Sequence, residues 1–393
     1  MPRLVHLGLG AFARAHLCAY TAEAPDRWSV TGVGLLPADT AVRDAHPERG
    51  YNLVLAHPDG RRESRRIDVV DSYLYAPEDA AAVVAAMADV DTLIVSLTIT
   101  EGGWAVPTEL APTTAIGMLV EALGERLDEG RPPFTVLSCD NLEHNGAVAS
   151  RAVAGYADLV DPGLGAWVRE QVAFPSSMVD RITPPPADPS VVVAEPWRQW
   201  VLEDAFPLGR PDWDALLVPD VRPYELMKLR LLNAGHQAIA YLGTLRGHTF
   251  AHEAMADPAV LDLLRRYWAE ALPTLDPVPG VDLDAYLDAL VERFGNPHVA
   301  DTLARLRAYT SDRIPAFLLP VLTARLDAGL PVDACAEVLA TWARYVEAMP
   351  ELVVDNRPVA DGEALLEQLG LLDGRVREPF VRCLAQVRSG RPG

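Results

Sequence analysis

The sequence contains no long apolar run. Half of its 393 residues are hydrophobic, yet no stretch reaches the ~18 consecutive apolar residues that a membrane-spanning helix needs. The N-terminal MPRLVHLGLG enters a strand pattern directly and lacks the apolar region and small-residue cleavage site of a secretory signal. We therefore expect a cytoplasmic, globular protein with no membrane partner.

Cysteine is also scarce. None of the four cysteines forms a C-x-x-C pair, which argues against the usual structural zinc motifs. Their scatter argues against a disulfide framework. We expect no metal and four buried or partly buried thiols: Cys18, Cys139, Cys335 and Cys383.

Positive charge is in deficit. The 34 Lys and Arg face 55 Asp and Glu, which gives a formal net charge of −21. Such a surface repels phosphate backbones, so we do not expect a nucleic-acid partner. An anionic cofactor must therefore be held by local backbone amides and local arginines.

What the sequence does contain is an alternation of strand-like and helix-like segments in its first half, which predicts an α/β fold with a parallel sheet. The strand-like runs are 3–7, 29–36, 91–98, 134–138 and 191–194, and the helix-like ones are 77–88 and 113–129.

From Pro223 onward the pattern is helical, and proline suits the first position of a helix. We predict a Rossmann-like dinucleotide-binding domain over residues 1–220 and a mostly α-helical substrate domain over 221–393, without internal repeats. The helical segments are 223–245, 257–272, 282–294, 299–309, 315–328, 332–348 and 361–370.

Residues 8–13 form a G-x-G-x-x-A element between the first strand and a predicted helix. Gly8 permits the tight turn, Gly10 lets the backbone approach a pyrophosphate, and Ala13 allows close helix–strand packing. The helix N-terminus offers free N–H groups, and Arg14 is placed to contact a phosphate. A plain glycine turn is the alternative, so the context of the motif carries the prediction of a dinucleotide site.

An acidic residue near the end of the second strand would bind the ribose hydroxyls of NAD. The first acid after Leu36 is Asp39, slightly late for that position. Asp39 capping the following helix explains it almost equally well. The sequence therefore favours NAD and leaves NADP open.

The segment PYELMKLRLLNAGH, residues 223–236, places four polar groups among leucines. Counting about 100° per residue from Lys228, Glu225 lies at about 60°. His236 then lies at about 80° and Asn233 at about 140°. We interpret the four as one polar sector of a helix.

Alcohol oxidation has a use for each of these groups. Lys228 can act as general base if burial and neighbours lower its pKa. Asn233 can donate to the developing oxyanion, His236 can orient the substrate hydroxyl, and Glu225 can relay the proton to solvent. A buried polar network at a domain interface is the alternative explanation of the same cluster.

Seven motifs follow one another along most of the chain. They are HLGLGAFARAH (6–16), TITEGGW (98–104), SCDNLEHNG (138–146), FPSSMVDRITP (174–184), EPWRQWVLEDAF (195–206), YELMKLRLLNAGH (224–236) and NPHVADTLARLRAYTSDRIPAFLLP (296–320). In this order they resemble the polyol-specific long-chain dehydrogenase/reductase family, which includes mannitol 2-dehydrogenase and fructuronate reductase.

The resemblance implies roles for single residues. Lys228 corresponds to the family's general acid/base, and Asn141 and Asn233 to the pair that forms the oxyanion hole. His236 corresponds to the substrate-positioning histidine, and Glu225 to the residue that gates proton exchange.

Two further groups of contacts are implied. Asp180 and Arg305 correspond to positions that contact the polyol. The residues expected at the cofactor are Gly8, Gly10, Ala11, Phe12, Arg14, Asp39, Thr98 and Glu101. The resemblance thus implies reversible hydride transfer between NAD and a secondary alcohol of a polyol or sugar acid, without zinc.

The chain departs from the family pattern at three positions. Gly102 replaces a lysine, Trp104 a tyrosine, and Arg313 a second lysine. Since the arginine fork suits carboxylate or phosphate, Arg313 with Arg305 could accept an acidic or phosphorylated sugar, and a surface ion pair explains Arg313 equally well. A sugar-phosphate dehydrogenase and a non-catalytic NAD-binding sensor remain alternatives, as do a monomer and a homodimer.

Overall fold

The computed structural model describes residues 1–106 and 108–389, with the backbone alone for Glu101. The chain divides into two compact units. The first comprises Met1–His57 and Arg61–Glu225, and the second comprises Pro58–Gly60 and the chain from Leu226 onward. The division thus falls shortly after the boundary that the sequence predicts.

The first unit holds the strands that the structure describes. They are β1 (Arg3–Leu7), β2 (Ser29–Gly34), β3 (Tyr51–Ala56), β4 (Arg62–Ile67), β5 (Val70–Tyr75), β6 (Thr92–Leu97), β7 (Thr135–Ser138), β8 (Ser177–Asp180), β9 (Val191–Ala194), β10 (Gln199–Glu203) and β11 (Leu216–Val218).

A five-stranded parallel sheet forms the centre of this unit, in the order β5-β2-β1-β6-β7. Strand β1 pairs with β2 on one side and β6 on the other, so the strand order reverses at its carboxyl end, where open α/β sheets bind ligands. Leu4, Val5 and Leu7 of β1 are fully buried, as expected of a parallel strand covered on both faces.

Two three-stranded sheets complete the unit, in the orders β11-β10-β8 and β4-β3-β9. Strand β4 escapes prediction because its sequence, RESRRI, is almost entirely polar and its burial alternates on an exposed edge. The predicted strands at 3–7, 29–36, 91–98, 134–138 and 191–194 correspond to β1, β2, β6, β7 and β9.

The helices of the first unit include a pair that begins at the glycine loop. They are α1 (Ala11–Ala15), α2 (Leu17–Glu23), α3 (Thr40–Asp44), α4 (Ala80–Ala88), α5 (Ala115–Asp128), α6 (Asn145–Val160), α7 (Pro162–Gln171) and α8 (Arg222–Met227), which ends beyond the division. Apolar residues of α4 to α7 cover one face of the parallel sheet, and those of α1, α2, β3, β9 and β10 cover the other.

The second unit is helical throughout the part that the structure describes. Its helices are α9 (Ala234–Leu245), α10 (Ala251–Ala256), α11 (Pro258–Ala271), α12 (Leu283–Phe294), α13 (Leu303–Leu306), α14 (Thr310–Arg313), α15 (Leu319–Asp327), α16 (Asp333–Ala348), α17 (Ala364–Gln368) and α18 (Gly374–Ser389), with π-helical turns at Lys228–Asn233 and Ile314–Leu318.

Two helical predictions are wrong in detail. The segment 299–309 contains only the short α13, because Ala300 adopts φ 54°, outside the helical range. The sequence pattern misses α18, a 16-residue helix that carries Pro379 in its interior. Proline usually ends a helix. None of the helices described is long and apolar enough to cross a membrane.

The helical run from Arg222 to Leu245 is not a regular α-helix. Between α8 and α9, residues Lys228–Asn233 form a π-turn. The N–H of Ala234 reaches the carbonyl of Leu229, five residues earlier, whereas an α-helix would join residues four apart. The angles counted at about 100° per residue are therefore wrong across this turn.

Candidate active site

An open cleft of about 820 Å³ lies in the first unit, at the carboxyl ends of β1, β2 and β6. Six residues that the sequence predicts for the cofactor line it. They are Gly8, Gly10, Ala11 and Phe12 after β1, Asp39 after β2, and Thr98 after β6. The structure thus brings together segments that lie ninety residues apart in the chain.

Gly8 and Gly10 are glycine for different physical reasons. Gly8 has φ 89°, and a Cβ added there would lie 2.3 Å from the carbonyl oxygen of Thr98. A Cβ at Gly10 would meet nothing nearer than the carbonyl oxygen of Gly8, at 3.9 Å. The fold therefore requires glycine at Gly8, whereas Gly10 leaves a space above the backbone that a ligand can approach.

A buried hydrogen-bond chain holds the Gly8 turn. The hydroxyl of Thr98 donates to the carbonyl of Gly8 at 2.8 Å. Nε2 of His6 lies 3.0 Å from the same hydroxyl, and Nδ1 lies 2.7 Å from the hydroxyl of Ser96. Because Thr98 already donates, His6 donates through Nε2 and accepts from Ser96. Burial lowers the pKa of His6 to about 3, so the ring stays neutral.

Asp39 has a structural role at the turn after β2. Its Oδ2 accepts hydrogen bonds from the N–H groups of Leu35 and Leu36, both at 2.8 Å. That carboxylate therefore closes the turn after β2. Asp39 also lines the cleft, so its role toward a ribose stays a prediction.

The remaining cofactor predictions receive no such support. Arg14 is buried, donates to the carbonyl of Pro189 at 2.5 Å and lies over the ring of Tyr51, and it is absent from the cleft lining among the residues described. The side chain of Glu101 lies outside the described residues. Gly102 lines the cleft, and a Cβ there would meet nothing within 4 Å.

Asp140 is a structural residue of this cleft that the sequence reasoning misses. Its carboxylate accepts from the N–H groups of Ile99 and Thr100, at 3.1 and 3.0 Å, and from the indole N–H of Trp104 at 2.7 Å. Thr100 has φ 62°, which these bonds help to hold. Trp104, at the position where the resemblance implies tyrosine, is thereby hydrogen-bonded to Asp140 beside the cleft. An acid directly after the buried strand β7 was the available signal.

Glu225 lies in α8, and its carboxylate bonds to the backbone at the start of α6. Its Oε2 accepts from the N–H of His144 at 3.0 Å, the residue that precedes this helix, while its Oε1 has no partner among the described residues. Burial raises the pKa of Glu225 to about 7, although the backbone N–H groups of His144 and Asn145 act in the opposite direction. The carboxyl can therefore exchange a proton near neutral pH.

The other two predicted residues of the first unit occupy different elements. Asn141 lies in the loop after β7, as its sequence position suggests. Asp180 is the last residue of β8, opposite Gln199 of β10, and is almost fully buried. Both have polar partners, and their roles toward a substrate stay predictions.

In the second unit, the π-turn aligns the predicted catalytic residues. In a π-helix the hydrogen bonds join residues five apart, which brings Asn233 into line with Lys228. His236 follows Asn233 by three residues in α9, a spacing that shares one helix face. Lys228 and His236 are buried. An α-helix would instead place Asn233 about 140° away from Lys228.

His236 is a neutral, incompletely bonded group. Burial lowers its pKa to about 3, opposed by the charge of Asp301. Its ring packs on Phe294, with ring centroids 4.3 Å apart. Across the described chain, neither Nε2 of His236 nor Oδ1 of Asn233 has a hydrogen-bond partner. Buried polar atoms of this kind normally have one.

Arg305 and Arg313 lie near His236 and contribute to its electrostatic environment. Arg305 forms a two-pronged pair with Asp301, at 2.6 and 2.5 Å. Burial alone would raise the pKa of Asp301, but the charge and hydrogen bonds of Arg305 outweigh burial and lower it. Arg313 donates to the carbonyls of Arg305 and Leu306, at 2.9 and 3.2 Å.

The sequence holds one signal for this site that residue spacing does not use. Lys228 is the only lysine among the 393 residues, and every other cation of the 34 Lys and Arg is arginine. Arginine cannot be deprotonated in proteins, whereas lysine can. A chain that otherwise uses arginine throughout keeps lysine at one buried position.

No group of three or more His, Cys, Asp or Glu is placed to share a metal ion within the part of the chain that the structure describes. The first unit thus presents a glycine-lined cleft, and the second presents a helix face on which Lys228 and His236 are buried and Asn233 is half-buried.

Comparisons with known protein families match nearly the whole chain. Residues 2–215 match the model of the mannitol dehydrogenase Rossmann domain, and residues 220–355 match that of the mannitol dehydrogenase C-terminal domain.

Individual relatives agree with these family models. The chain is 39% identical over 386 residues to mannitol 2-dehydrogenase of Cereibacter sphaeroides, which covers 88% of this chain and 80% of the relative. It is 38% identical over 388 residues to a mannitol dehydrogenase of Saccharomyces cerevisiae, covering 87% and 77%.

Two solved structures are similar over almost the full length. One is Pseudomonas fluorescens mannitol 2-dehydrogenase in a ternary complex with NAD and D-mannitol, with a TM-score of 0.88 and 34% identity over 99% of this chain and 92% of that chain. The other is a substrate-free D-sorbitol dehydrogenase, with a TM-score of 0.82 and 30% identity over 99% and 93%.

Proposed function

We propose, because this chain belongs to the mannitol dehydrogenase family, that it interconverts a secondary alcohol of a polyol and the corresponding ketose with NAD. Lys228 acts as the general acid/base, and no metal takes part. The observation that carries the proposal is the face formed by buried Lys228, half-buried Asn233 and buried His236. On this face, the buried atoms Asn233 Oδ1 and His236 Nε2 have no partner among the described residues. A polyol hydroxyl both donates and accepts, so it can satisfy either atom.

The single lysine supports the role of base. The proton of the alcohol must leave when the hydride does, and the group that takes it must be neutral beforehand. Burial favours the neutral form of a lysine, and Lys228 is 5% exposed. No arginine can substitute in this role, which accounts for a lysine at this position alone.

The glycine-lined cleft of the first unit fits a dinucleotide. The space above Gly10 would be filled by a Cβ, and the adjoining backbone of Gly8 is fixed by Thr98. Bound there, NAD would supply the acceptor for the hydride. Gly8, Gly10, Ala11 and Phe12 would hold it, with Asp39 at the ribose.

The proton chemistry belongs to the side chains of this chain. Nζ of Lys228 takes the hydroxyl proton, and the amide N–H of Asn233 donates to the oxygen as its negative charge develops. His236, held neutral, orients the hydroxyl. By resemblance, Asn141 supplies the second amide of the oxyanion hole. Glu225, with a pKa of about 7, passes the proton on to solvent.

The arginines favour a neutral substrate over a phosphorylated one. The guanidinium of Arg305 is already paired with Asp301, and Arg313 donates to two backbone carbonyls. A phosphate would have to compete with both sets of bonds. We therefore rank polyols as the first candidate substrates and sugar acids as the second.

The test is NAD reduction with a panel of polyols, sugar acids and mannitol 1-phosphate, measured for wild type, Lys228→Ala and Lys228→Met. Methionine keeps the volume of the side chain and removes the amine. Both variants should lose about 10²–10⁴-fold in kcat while still binding NAD. Added alkylamines should restore part of the activity of Lys228→Ala alone, since only alanine leaves room for them.

Two results would contradict the proposal. Near wild-type turnover by Lys228→Ala would remove lysine as the base. Loss of activity on dialysis against a chelator, restored by a divalent cation, would show that a metal takes part. Binding of NAD without turnover on any substrate of the panel would favour a sensor.

We also propose that the protein works in the cytoplasm. All four cysteines are buried and unpaired, as in a reducing compartment. Cell fractionation with an antibody against the native chain tests this, and recovery with the membrane or secreted fraction would contradict it.

A further inference from the structure

The π-turn at Lys228–Asn233 changes which backbone groups are paired. The N–H of Ala234, which an α-helix would give to the carbonyl of Arg230, donates instead to the carbonyls of Leu229 and Leu231. The carbonyl of Arg230 therefore loses this donor, whereas that of Leu231 keeps one, and a buried carbonyl that loses a donor needs another. The donors at this turn come from side chains of α11.

Tyr267 supplies the first of these donors. Its hydroxyl donates to the carbonyl of Arg230 at 2.8 Å, the carbonyl that the changed register removes from Ala234. The side chain is fully buried, and burial raises the pKa of Tyr267 well above its ordinary value. The hydroxyl therefore stays protonated and remains a donor around neutral pH.

Trp268 supplies the second side-chain donor. Its indole N–H donates to the carbonyl of Leu231 at 2.9 Å. Gly235 permits this approach, because a Cβ there would lie 3.2 Å from the indole nitrogen. Two consecutive residues of α11 thus donate to two consecutive carbonyls of the turn.

We infer that Tyr267 and Trp268 are positioning residues that hold the π-turn and thereby keep Asn233 in line with Lys228. The inference rests on the proposed function, since alignment matters only if both residues act on one substrate. Without the hydroxyl of Tyr267, the carbonyl of Arg230 becomes accessible to the N–H of Ala234, and the turn is driven toward α-helical pairing. Asn233 and His236 then rotate away from Lys228.

The single lysine makes a direct experiment available. Protein labelled with ¹³C and ¹⁵N in lysine gives one lysine side-chain signal, that of Lys228. The signal and its pH titration are recorded for wild type, Tyr267→Phe and Trp268→Phe, together with kcat and KM for the preferred polyol. Crystal structures of the variants show which carbonyl the N–H of Ala234 reaches.

Tyr345→Phe is the matched control. Tyr345 is also buried in the second unit, and its hydroxyl donates to the backbone carbonyl of Leu352 at 2.7 Å, outside the π-turn. The hydroxyl also accepts from Nε of Arg307 at 3.0 Å. The control therefore loses at least as much hydrogen bonding as Tyr267→Phe, and it separates a general loss of stability from an effect on Lys228.

In Tyr267→Phe we expect kcat to fall at least tenfold with a smaller change in KM, and the titration midpoint of Lys228 to move. Tyr345→Phe should leave both unchanged. A wild-type kcat and Lys228 signal in Tyr267→Phe would overturn the inference, and this variant decides the matter if Trp268→Phe does not fold. Full activity of Lys228→Ala would instead overturn the proposed function, whatever the lysine signal shows.

Discussion

The two polar regions of this protein use their hydrogen-bonding groups in opposite ways. In the glycine-lined cleft, the side chains of His6, Thr98 and Asp39 bond to the fold itself. On the helix of the second unit, buried atoms of Asn233 and His236 lack partners within the described residues. The side chains named in the first region are hydrogen-bonded to the protein itself, whereas the second region holds polar atoms that can still bond to a ligand.

This difference matches two different tasks. The cleft recognises a ligand by its shape, whereas the helix face acts through the chemistry of its side chains. A site that reads a dinucleotide presents backbone and empty space, so its side chains serve to hold the loop. A site that stabilises a charge only while it develops must leave donors and acceptors unbonded beforehand, at some cost to stability. Substitutions in the two regions should therefore change different measurements.

The sharpest test of this contrast is Asn233→Ala. Loss of a preorganised donor typically lowers kcat by about 10²–10³-fold, while NAD binding should stay at the wild-type level. Steady-state kinetics and titration of NAD fluorescence measure the two. Asn356→Ala, which removes an exposed amide of the same unit, should change neither. A large loss of NAD affinity in Asn233→Ala would contradict the division between a cleft that binds NAD and a helix face that carries the catalysis.

Gly8→Ala tests the first region through stability. The added methyl group meets the carbonyl of Thr98 at 2.3 Å in a left-handed backbone, so we expect a loss of about 3–5 kcal/mol in the free energy of unfolding. Gly130→Ala shares the positive φ but meets nothing within 4 Å, and should lose about 1 kcal/mol. Urea denaturation measures the free energy of unfolding of both variants. Equal losses would show that backbone strain alone, and not the contact with Thr98, sets the cost of Gly8→Ala.

Glu225→Gln gives the smallest effect, and one that depends on pH. The pKa is about 7 in the folded chain against an ordinary 4.5, so the folded chain holds an extra proton between these values. The stability of the wild type therefore falls as pH rises through this window, by up to about 3 kcal/mol.

In the glutamine variant this decline should be absent, so its stability relative to wild type rises between pH 5 and pH 8. Urea denaturation at both values measures the change. Glu121→Gln, at an exposed position of α5, controls for replacing a carboxyl by an amide. A constant difference between Glu225→Gln and wild type at the two pH values would show that Glu225 does not titrate in this range.

The sequence predicts the frame of the first unit well, because its central strands are apolar and its glycine loop has a fixed place after β1. It predicts the edges poorly: β4 is polar, and β8 and β10 are absent from the predicted strands. In each case the strand depends on a neighbour distant in the chain, such as Asp180 opposite Gln199, which no local pattern contains.

The candidate site shows the same limit. Residue types at Lys228, Asn233 and His236 are readable from the sequence, yet their alignment is not, since a regular helix would separate Lys228 from Asn233. The cause lies in Tyr267 and Trp268, over thirty residues later. Asp301, by contrast, pairs with Arg305 only four residues later, a spacing that the sequence itself contains.

A π-turn holds one residue more than an α-helix needs for the same bonding pattern, and this surplus constrains both evolution and design. Deleting a single residue between Lys228 and Asn233 would leave an ordinary α-helix with the spacing K-x₃-N, which keeps the two side chains in line. Loss of the π-turn without a deletion would instead keep every residue type and place Asn233 about 140° from Lys228. A designer grafting the pair onto an idealised helix must in turn shorten the spacing from K-x₄-N to K-x₃-N, the separation at which an α-helix places two side chains together.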